Sequence, residues 1–174
     1  MLRVIPRNQS FVVGYKEYCQ EFYDNHIVTF LPSNPEWIDE NWYERTAKWY
    51  ARKEMESFDG NARGVHFWAI DKGKFIGEFQ LRLELNDDIM LGIGSIGYSV
   101  RVTEWGKGYG NEILKQGLEI ARNYGLEKVL LNINDDNHAS IRICENNGGI
   151  LMDKVMLASK EEGKHLVCRY WILL

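Results

Sequence analysis

Cysteine and proline are both scarce in this sequence, with three of each in 174 residues. Cys19, Cys144 and Cys168 show no C-x-x-C spacing and no histidine at metal-site intervals, which excludes a disulfide framework and a structural zinc site and leaves reduced thiols as the expectation. Pro6, Pro32 and Pro35 all fall in the first fifth, and no repeat or low-complexity tract interrupts the rest, so one domain over residues 1–174 is expected. No window approaches the roughly 20 apolar residues of a membrane span, and the opening MLRVIPRNQS has no apolar stretch of signal-peptide length. The expectation is a cytoplasmic protein without a membrane partner. Basic charge is in deficit as well: 21 Lys and Arg against 25 Asp and Glu give a net charge of -4. That balance argues against nucleic acid as a partner and weakly favours small cationic ones.

What is present is bulk. Hydrophobic residues make up 45% of the chain and aromatics 13%, six of them Trp, and a fold of this length hides roughly 70% of its extended surface, so a full core is available. Ser10 is placed to cap a helix reaching about Asn25, and a second helix is expected over residues 36–56, with Trp42, Trp49 and Tyr50 recurring on one side. Val65 to Ile70 and Phe75 to Leu85 read as a hairpin around Asp71-Lys72-Gly73-Lys74. Residues 86–94 read as a loop and Ser95 to Val102 as a further strand. The period then changes to a helix over residues 106–124. Lys128 to Ile133 is a short apolar strand of the kind buried in a parallel pairing. A helix over 137–146 and strands over 150–158 and 165–173, joined around Glu161-Glu162-Gly163-Lys164, complete the chain.

The most informative segment is Trp105-Gly106-Lys107-Gly108-Tyr109-Gly110-Asn111. Glycines at alternate positions after a strand and before an amphipathic helix let backbone N–H groups converge at the positive end of the helix dipole, which makes an anion cradle. A side chain at Gly108 or Gly110 is expected to hold a phosphate away. The loop is not a Walker motif, since Gly108 follows Lys107 where Ser or Thr belongs, and it is a poor dinucleotide fingerprint. A ligand-free glycine turn is the plainer reading of the loop taken alone.

The run Gly97-Tyr98-Ser99-Val100-Arg101-Val102-Thr103-Glu104-Trp105-Gly106-Lys107-Gly108-Tyr109-Gly110, with Asn137-His138-Ala139-Ser140 and Glu145-Asn146-Asn147-Gly148-Gly149 after it, resembles the GCN5-related N-acetyltransferases. The ending Cys168-Arg169-Tyr170-Trp171-Ile172 and the Gly148-Gly149 pair are similar to a bacterial subgroup of that family. The resemblance spans roughly residues 65–174. It implies an α/β (α+β) fold with a mixed, mostly antiparallel seven-stranded sheet and about four helices, residues 1–64 being acceptor-side helices. It implies acetyl-CoA as co-substrate with no metal, a pyrophosphate on Gly106, Lys107, Gly108, Tyr109, Gly110 and Asn111, and a pantetheine arm on the backbone of Val100 and Val102, reached by Asn137 and Ser140. The acceptor implied is a primary amine of a small molecule or peptide, attacked in a ternary complex. A non-catalytic acyl-CoA-binding module on the same fold is the alternative, and the assembly state stays open, a homodimer included.

Two departures from the family pattern bear on this. Trp105 and Val102 stand where the loop usually has Arg or Gln and Pro. Ser95 stands at the strand position that often carries a catalytic Glu, and Cys144 at the helix position that often carries a Tyr acid. A lysine-like amine costs about 4.6 kcal/mol to deprotonate at pH 7, and expelling an unprotonated thiolate only about 2 kcal/mol, so the missing base is the greater loss. Antiparallel pairing of the strands over 75–85 and 95–102 is expected to bring Glu84 nearest Ser95, which makes Glu84 the candidate base and Glu78, farther along the strand, the less favoured one. An exposed Glu84 paired to Arg82 or solvent is the plainer alternative. Cys144 is expected in the core, and His66, His138 and His165 show no carboxylate partner at triad spacing.

Overall fold

A computed structural model describes residues 1–27, 31–58, 62–87, 89–159 and 163–174. Among the described residues the strands are β1 (Arg3–Pro6), β2 (Gly64–Asp71), β3 (Lys74–Arg82), β4 (Ile96–Val100), β5 (Lys128–Asn134), β6 (Ile150–Ser159) and β7 (Gly163–Leu173), and the α-helices are α1 (Val12–Asp24), α2 (Trp42–Met55), α3 (Tyr109–Asn123) and α4 (His138–Asn146). The seven strands form two antiparallel sheets, in the orders β1-β2-β3-β4 and β5-β7-β6.

The first sheet is covered on both faces, and its strands say why. On one face Val65, Ala69, Ile76, Phe79, Leu81 and Ile96 form a core with Ile113, Leu114, Leu118 and Ala121 of α3. On the other, Trp68, Ile70 and Phe75 pack under Tyr15, Tyr18, Cys19 and Phe22 of α1 and Trp42 of α2. Helical spacing of the apolar positions in α1 puts all four on one side, where fully burying each large side chain stabilises by roughly 1.5–3 kcal/mol. Tyr15 is sandwiched between Trp42 and Trp68, with ring centroids 4.9 and 5.2 Å away.

Several expected boundaries move. The side chain of Asn8, and not Ser10, accepts the capping bond, at Ser10 N, and a short 3-10 turn over Gln9–Phe11 precedes α1. Residues 35–37 form another 3-10 turn capped by Asn34, so α2 begins only at Trp42. Strand β3 stops at Arg82, short of Leu85, and Leu85 is exposed. Strand β5 pairs antiparallel with β7, not in a parallel ladder. Its apolar run is explained by burial on both faces all the same, since Val129, Leu130 and Leu131 are buried. Of the expected turn at 161–164, Glu161 and Glu162 lie outside the described residues.

The feature that positions the site is the join between the two sheets. Ser95 N donates to Leu130 O at 2.6 Å, and Leu130 N donates back to Ser95 Oγ at 3.0 Å. Gly94 allows this approach, because a Cβ there would stand 2.7 Å from Leu130 O. Past this clasp β4 and β5 belong to different sheets, and the wedge between them opens toward residues 101–108.

Candidate active site

At the mouth of the wedge the glycine loop is held from behind. Glu21 of α1 accepts from Arg101 Nε at 2.9 Å and from Thr103 N at 3.1 Å, and Arg101 Nη1 donates to Phe75 O at 3.0 Å. Burial pushes the Glu21 carboxyl up, but the bonds from Arg101 and Thr103 outweigh it and hold it below its ordinary range. Lys74 and Lys107 both donate to Glu104, at 2.5 and 2.9 Å, and keep that carboxyl low too. The Lys107 ammonium is therefore occupied within its own loop. Gly106 and Gly108 have φ of +76° and +83°, and a Cβ on either would point into open space. Among the described residues none of the N–H groups of residues 106–108 donates to a backbone carbonyl, and those of Tyr109, Gly110 and Asn111 lie in the first turn of α3, which has no intrahelical acceptor for them. Six consecutive N–H groups at one helix terminus are thus open to an anion.

The side chains of this loop serve the fold. Tyr109 Oη donates to Asp71 at 2.9 Å, and Asn111 Oδ1 accepts from Asn147 at 3.2 Å. Gly110 differs from its neighbours: a Cβ there would meet Ile143 Cδ1 at 2.6 Å, so a larger residue would force the Ile143 side chain of α4 to shift. Asn137 caps α4, its Oδ1 accepting from Ser140 N at 3.1 Å.

Along the wedge, Arg82 N donates to Ser95 O and Arg101 N to Ile76 O, both at 2.8 Å, which fixes the odd-numbered residues as the ones bonded to β3. The backbone of Tyr98 and Val100 therefore faces outward. The Val100 carbonyl is engaged in this structure by the half-exposed Trp105, whose Nε1 donates to it at 2.7 Å. Val102 lies beyond β4 in a 3-10 turn, its carbonyl accepting from Trp105 N at 3.2 Å, so it does not extend the edge as expected.

The expected neighbour of Ser95 is also different. Since β3 ends at Arg82 and Leu81 pairs with Ile96, Arg82 stands opposite Ser95, and Glu84 does not. Glu84 is exposed, accepting from Ser57 Oγ at 2.6 Å, with Arg63 at 3.8 Å. Ser95 itself is fully buried in the clasp.

A carboxylate does sit at the centre of the sheet. Glu78 is 0% exposed, pairs across the ladder with Ser99, and accepts from Tyr18 Oη at 2.7 Å. Tyr18 also bonds Ser99 Oγ. With its one proton given to Glu78, Tyr18 accepts from Ser99, so the chain Ser99 to Tyr18 to Glu78 is oriented. His66 Nε2 lies 2.6 Å from the other carboxylate oxygen. Burial lowers the His66 pKa, against the pull of Glu78, and burial raises that of Tyr18, so both are neutral and donate to the carboxylate. His66 thus has the carboxylate partner that triad spacing did not reveal. The signal was there in the hairpin: once Asp71 to Lys74 turns the chain, His66 and Glu78 fall on one face, diagonally across the ladder and two register positions apart. Tyr18 arrives from α1, 60 residues away from Glu78 in sequence, with no local sign of it. Cys144 and Cys19 are buried thiols, each pushed up to about 12 by desolvation, as core residues are.

A sequence model of the acetyltransferase (GNAT) domain matches residues 15–150. Among solved structures, a GNAT-family acetyltransferase from Streptococcus pneumoniae is similar at 15% identity, with TM-score 0.67 and 100% of both chains covered. RimL, a ribosomal alpha-N-protein acetyltransferase in complex with coenzyme A, is similar at 13% identity, TM-score 0.73, over 99% of this chain and 94% of that one. Mutant forms of the spermidine/spermine N-acetyltransferase SpeG from Vibrio cholerae are similar at 15% identity, TM-score 0.65, over 99% and 95%. No curated protein matches the sequence. With the domain match covering well over half of the chain and the split sheet, clasp and glycine loop all in place, the chain belongs to the GNAT acetyltransferase family.

Proposed function

We propose that the protein transfers an acetyl group from acetyl-CoA to a primary amine of a small molecule or peptide, by direct attack in a ternary complex. The observation that carries this reading is the wedge between β4 and β5, closed at Ser95 and Leu130 and opening onto six unbonded N–H groups at residues 106–111. That shape suits a long ligand with an anionic middle and an amide-bearing arm. Pyrophosphate lies on the N–H groups of Gly106, Lys107, Gly108, Tyr109, Gly110 and Asn111. The arm runs beside β4, pairing with the outward backbone at Tyr98 and Val100, with Asn137 and Ser140 at the start of α4 on its far side. RimL, solved with coenzyme A, and SpeG, a polyamine acetyltransferase, share the fold and support the choice of co-substrate and of amine acceptors.

The activated thioester supplies the electrophile. As the amine attacks, the C–N bond forms, the C–S bond breaks, and the thiolate leaves at a cost of only about 2 kcal/mol at pH 7. The amine proton is the harder one to place. Ser99 can take it while passing its own to Tyr18, and Tyr18 its own to Glu78, so the buried carboxylate acts as base at a distance of two hydroxyls. His66 holds that carboxylate in position. This relay takes the role first expected of Glu84, and it favours an enzyme over a binding module, which has no use for an oriented proton chain. Calorimetric titration with acetyl-CoA, followed by an amine panel read by thiol release, tests the proposal. Absence of acetyl-CoA binding would sink it.

A further inference from the structure

The carboxylates that brace the glycine loop are not equal. Glu104 takes Lys74 and Lys107, whose side chains are 47% and 56% exposed, and ion pairs so open to water contribute little to order. Glu21 of α1 meets Arg101 where the two side chains are only 18% and 7% exposed. Its two oxygens serve different residues. Oε1 accepts from Arg101 Nε at 2.9 Å and from Arg101 Nη2, while Oε2 accepts from Thr103 N and Thr103 Oγ1, both at 3.1 Å. Arg101 in turn donates from Nη1 to Phe75 O at 3.0 Å and from its backbone N–H to Ile76 O at 2.8 Å. One carboxylate thus fixes both the residue that follows β4 and a backbone N–H of the turn that leads into Gly106.

The glycines give this brace its consequence. A stretch with Gly106, Gly108 and Gly110 in five residues has more backbone freedom to lose on ordering than other sequences have. Its N–H groups converge on one point only while Gly106 and Gly108 keep φ of +76° and +83°. Freedom removed before a ligand arrives does not oppose binding, which is the gain from preorganisation. The helix that supplies the brace has a second task three residues earlier, because Tyr18 of the proposed relay lies one turn before Glu21 on α1. Phe22 of the same helix stands edge-on to Trp105 of the loop, with ring centroids 6.3 Å apart.

We propose that Glu21 is a positioning residue for acetyl-CoA: it orders the turn and glycine loop in the free protein, and so sets the affinity for the co-substrate without touching the reacting atoms. The ligand is taken from the acetyl-transfer reading, whereas the brace is defined without it. Tyr18 and Glu21 then divide the work of α1, the first acting on the proton and the second on the co-substrate. Their effects should separate into turnover and affinity.

Glu21→Gln keeps the shape of the side chain but puts an amide nitrogen, which cannot accept, in place of one oxygen, so Arg101 and Thr103 can no longer both be served. Calorimetry should show acetyl-CoA bound about tenfold more weakly, and kinetics a similar rise in the KM for acetyl-CoA with kcat at saturation within about twofold. In the free protein, hydrogen exchange at the bonded amides of Glu104 and Trp105 should quicken about tenfold, and at Phe79 and Leu81 in the core by less than twofold. Since the change leaves a buried Arg101 less well paired, Thr103→Ala is the second variant. It removes one bond from an exposed residue and should weaken acetyl-CoA about threefold. Glu17→Gln, at a 62% exposed carboxylate 3.8 Å from Arg101, is the control and should leave affinity unchanged. Unchanged affinity in both test variants, exchange that quickens evenly in turn and core, or a loss confined to kcat overturns the positioning role. If the wild type binds inorganic pyrophosphate but not acetyl-CoA, the transfer reading falls and Glu21 is judged on pyrophosphate affinity alone; if it binds neither, both fall.

Discussion

The glycine loop at residues 105–111 turns backbone outward, whereas the polar face of the first sheet gathers side chains. In the loop every side chain is turned to the protein: Lys107 to Glu104, Tyr109 to Asp71, Asn111 to Asn147. What remains outward is a row of N–H groups that any sequence of suitable conformation supplies. The polar face draws Tyr18 from α1, His66 from β2, Glu78, Gln80 and Arg82 from β3 and Ser99 from β4. In the proposed reaction one region holds the pyrophosphate of the co-substrate and the other moves a proton. Backbone suits the first task, since every non-proline residue carries an N–H, and side chains the second, since a proton relay needs hydroxyl and carboxyl groups.

The largest effect expected from separating the two regions is on turnover. Glu78→Gln should lower kcat by roughly a hundredfold or more with acetyl-CoA affinity within twofold, because it removes the proton acceptor and leaves the loop untouched. Glu84→Gln, at an exposed ion pair, should change kcat by less than about twofold. The reverse result in a pair of steady-state assays would return the base to Glu84.

Next comes binding. Gly108→Val should weaken acetyl-CoA roughly tenfold or more in a folded protein, since φ of +83° and the open space beside it are both lost. Gly110→Val should act instead on stability, through its clash with Ile143, by about 1–3 kcal/mol of overpacking. Calorimetry and thermal melts on the two variants distinguish a ligand glycine from a packing glycine.

A smaller change is expected at Trp105. Its indole occupies the Val100 carbonyl, so Trp105→Phe should tighten acetyl-CoA by up to about fivefold, the equivalent of one net hydrogen bond near 1 kcal/mol. Unchanged affinity would show that the arm passes Val100 without needing that carbonyl.

The smallest effect is on stability against pH. His66 has a lowered pKa in the folded state, so the unfolded chain binds the extra proton first as pH falls. Its contribution to stability should be complete above about pH 6.5 and decline below it. Urea unfolding at several pH values should show a shallower decline in His66→Gln than in the wild type; identical slopes would mean His66 is not the group responsible.

How far these regions could be read in advance follows the same division. Gly106, Gly108 and the helix after them were legible because the whole cradle is contiguous. The helix over 137–146 was legible too, but its capping by Asn137 at Ser140 N is seen only in the structure. The proposed base was not, because the neighbour of Ser95 depended on where β3 ends: a strand running to Leu85 puts Glu84 beside Ser95, and one ending at Arg82 puts Arg82 there. Alternation alone marks faces and says nothing of length or register. Gly110 carries a further constraint that was not legible, its closeness to Ile143 on another helix.

By itself, then, the sequence determined the order of strands and helices from residue 64 onward and the glycine turn that opens α3, both of which rest on periodicity and glycine spacing within short windows. Only the tertiary structure decided that Ser95 is buried in a clasp with Leu130 and that Tyr18, Ser99, Glu78 and His66 form one oriented chain. Those depend on register and on helix packing across the sheet, where residues 60 or more positions apart are brought to within a hydrogen bond.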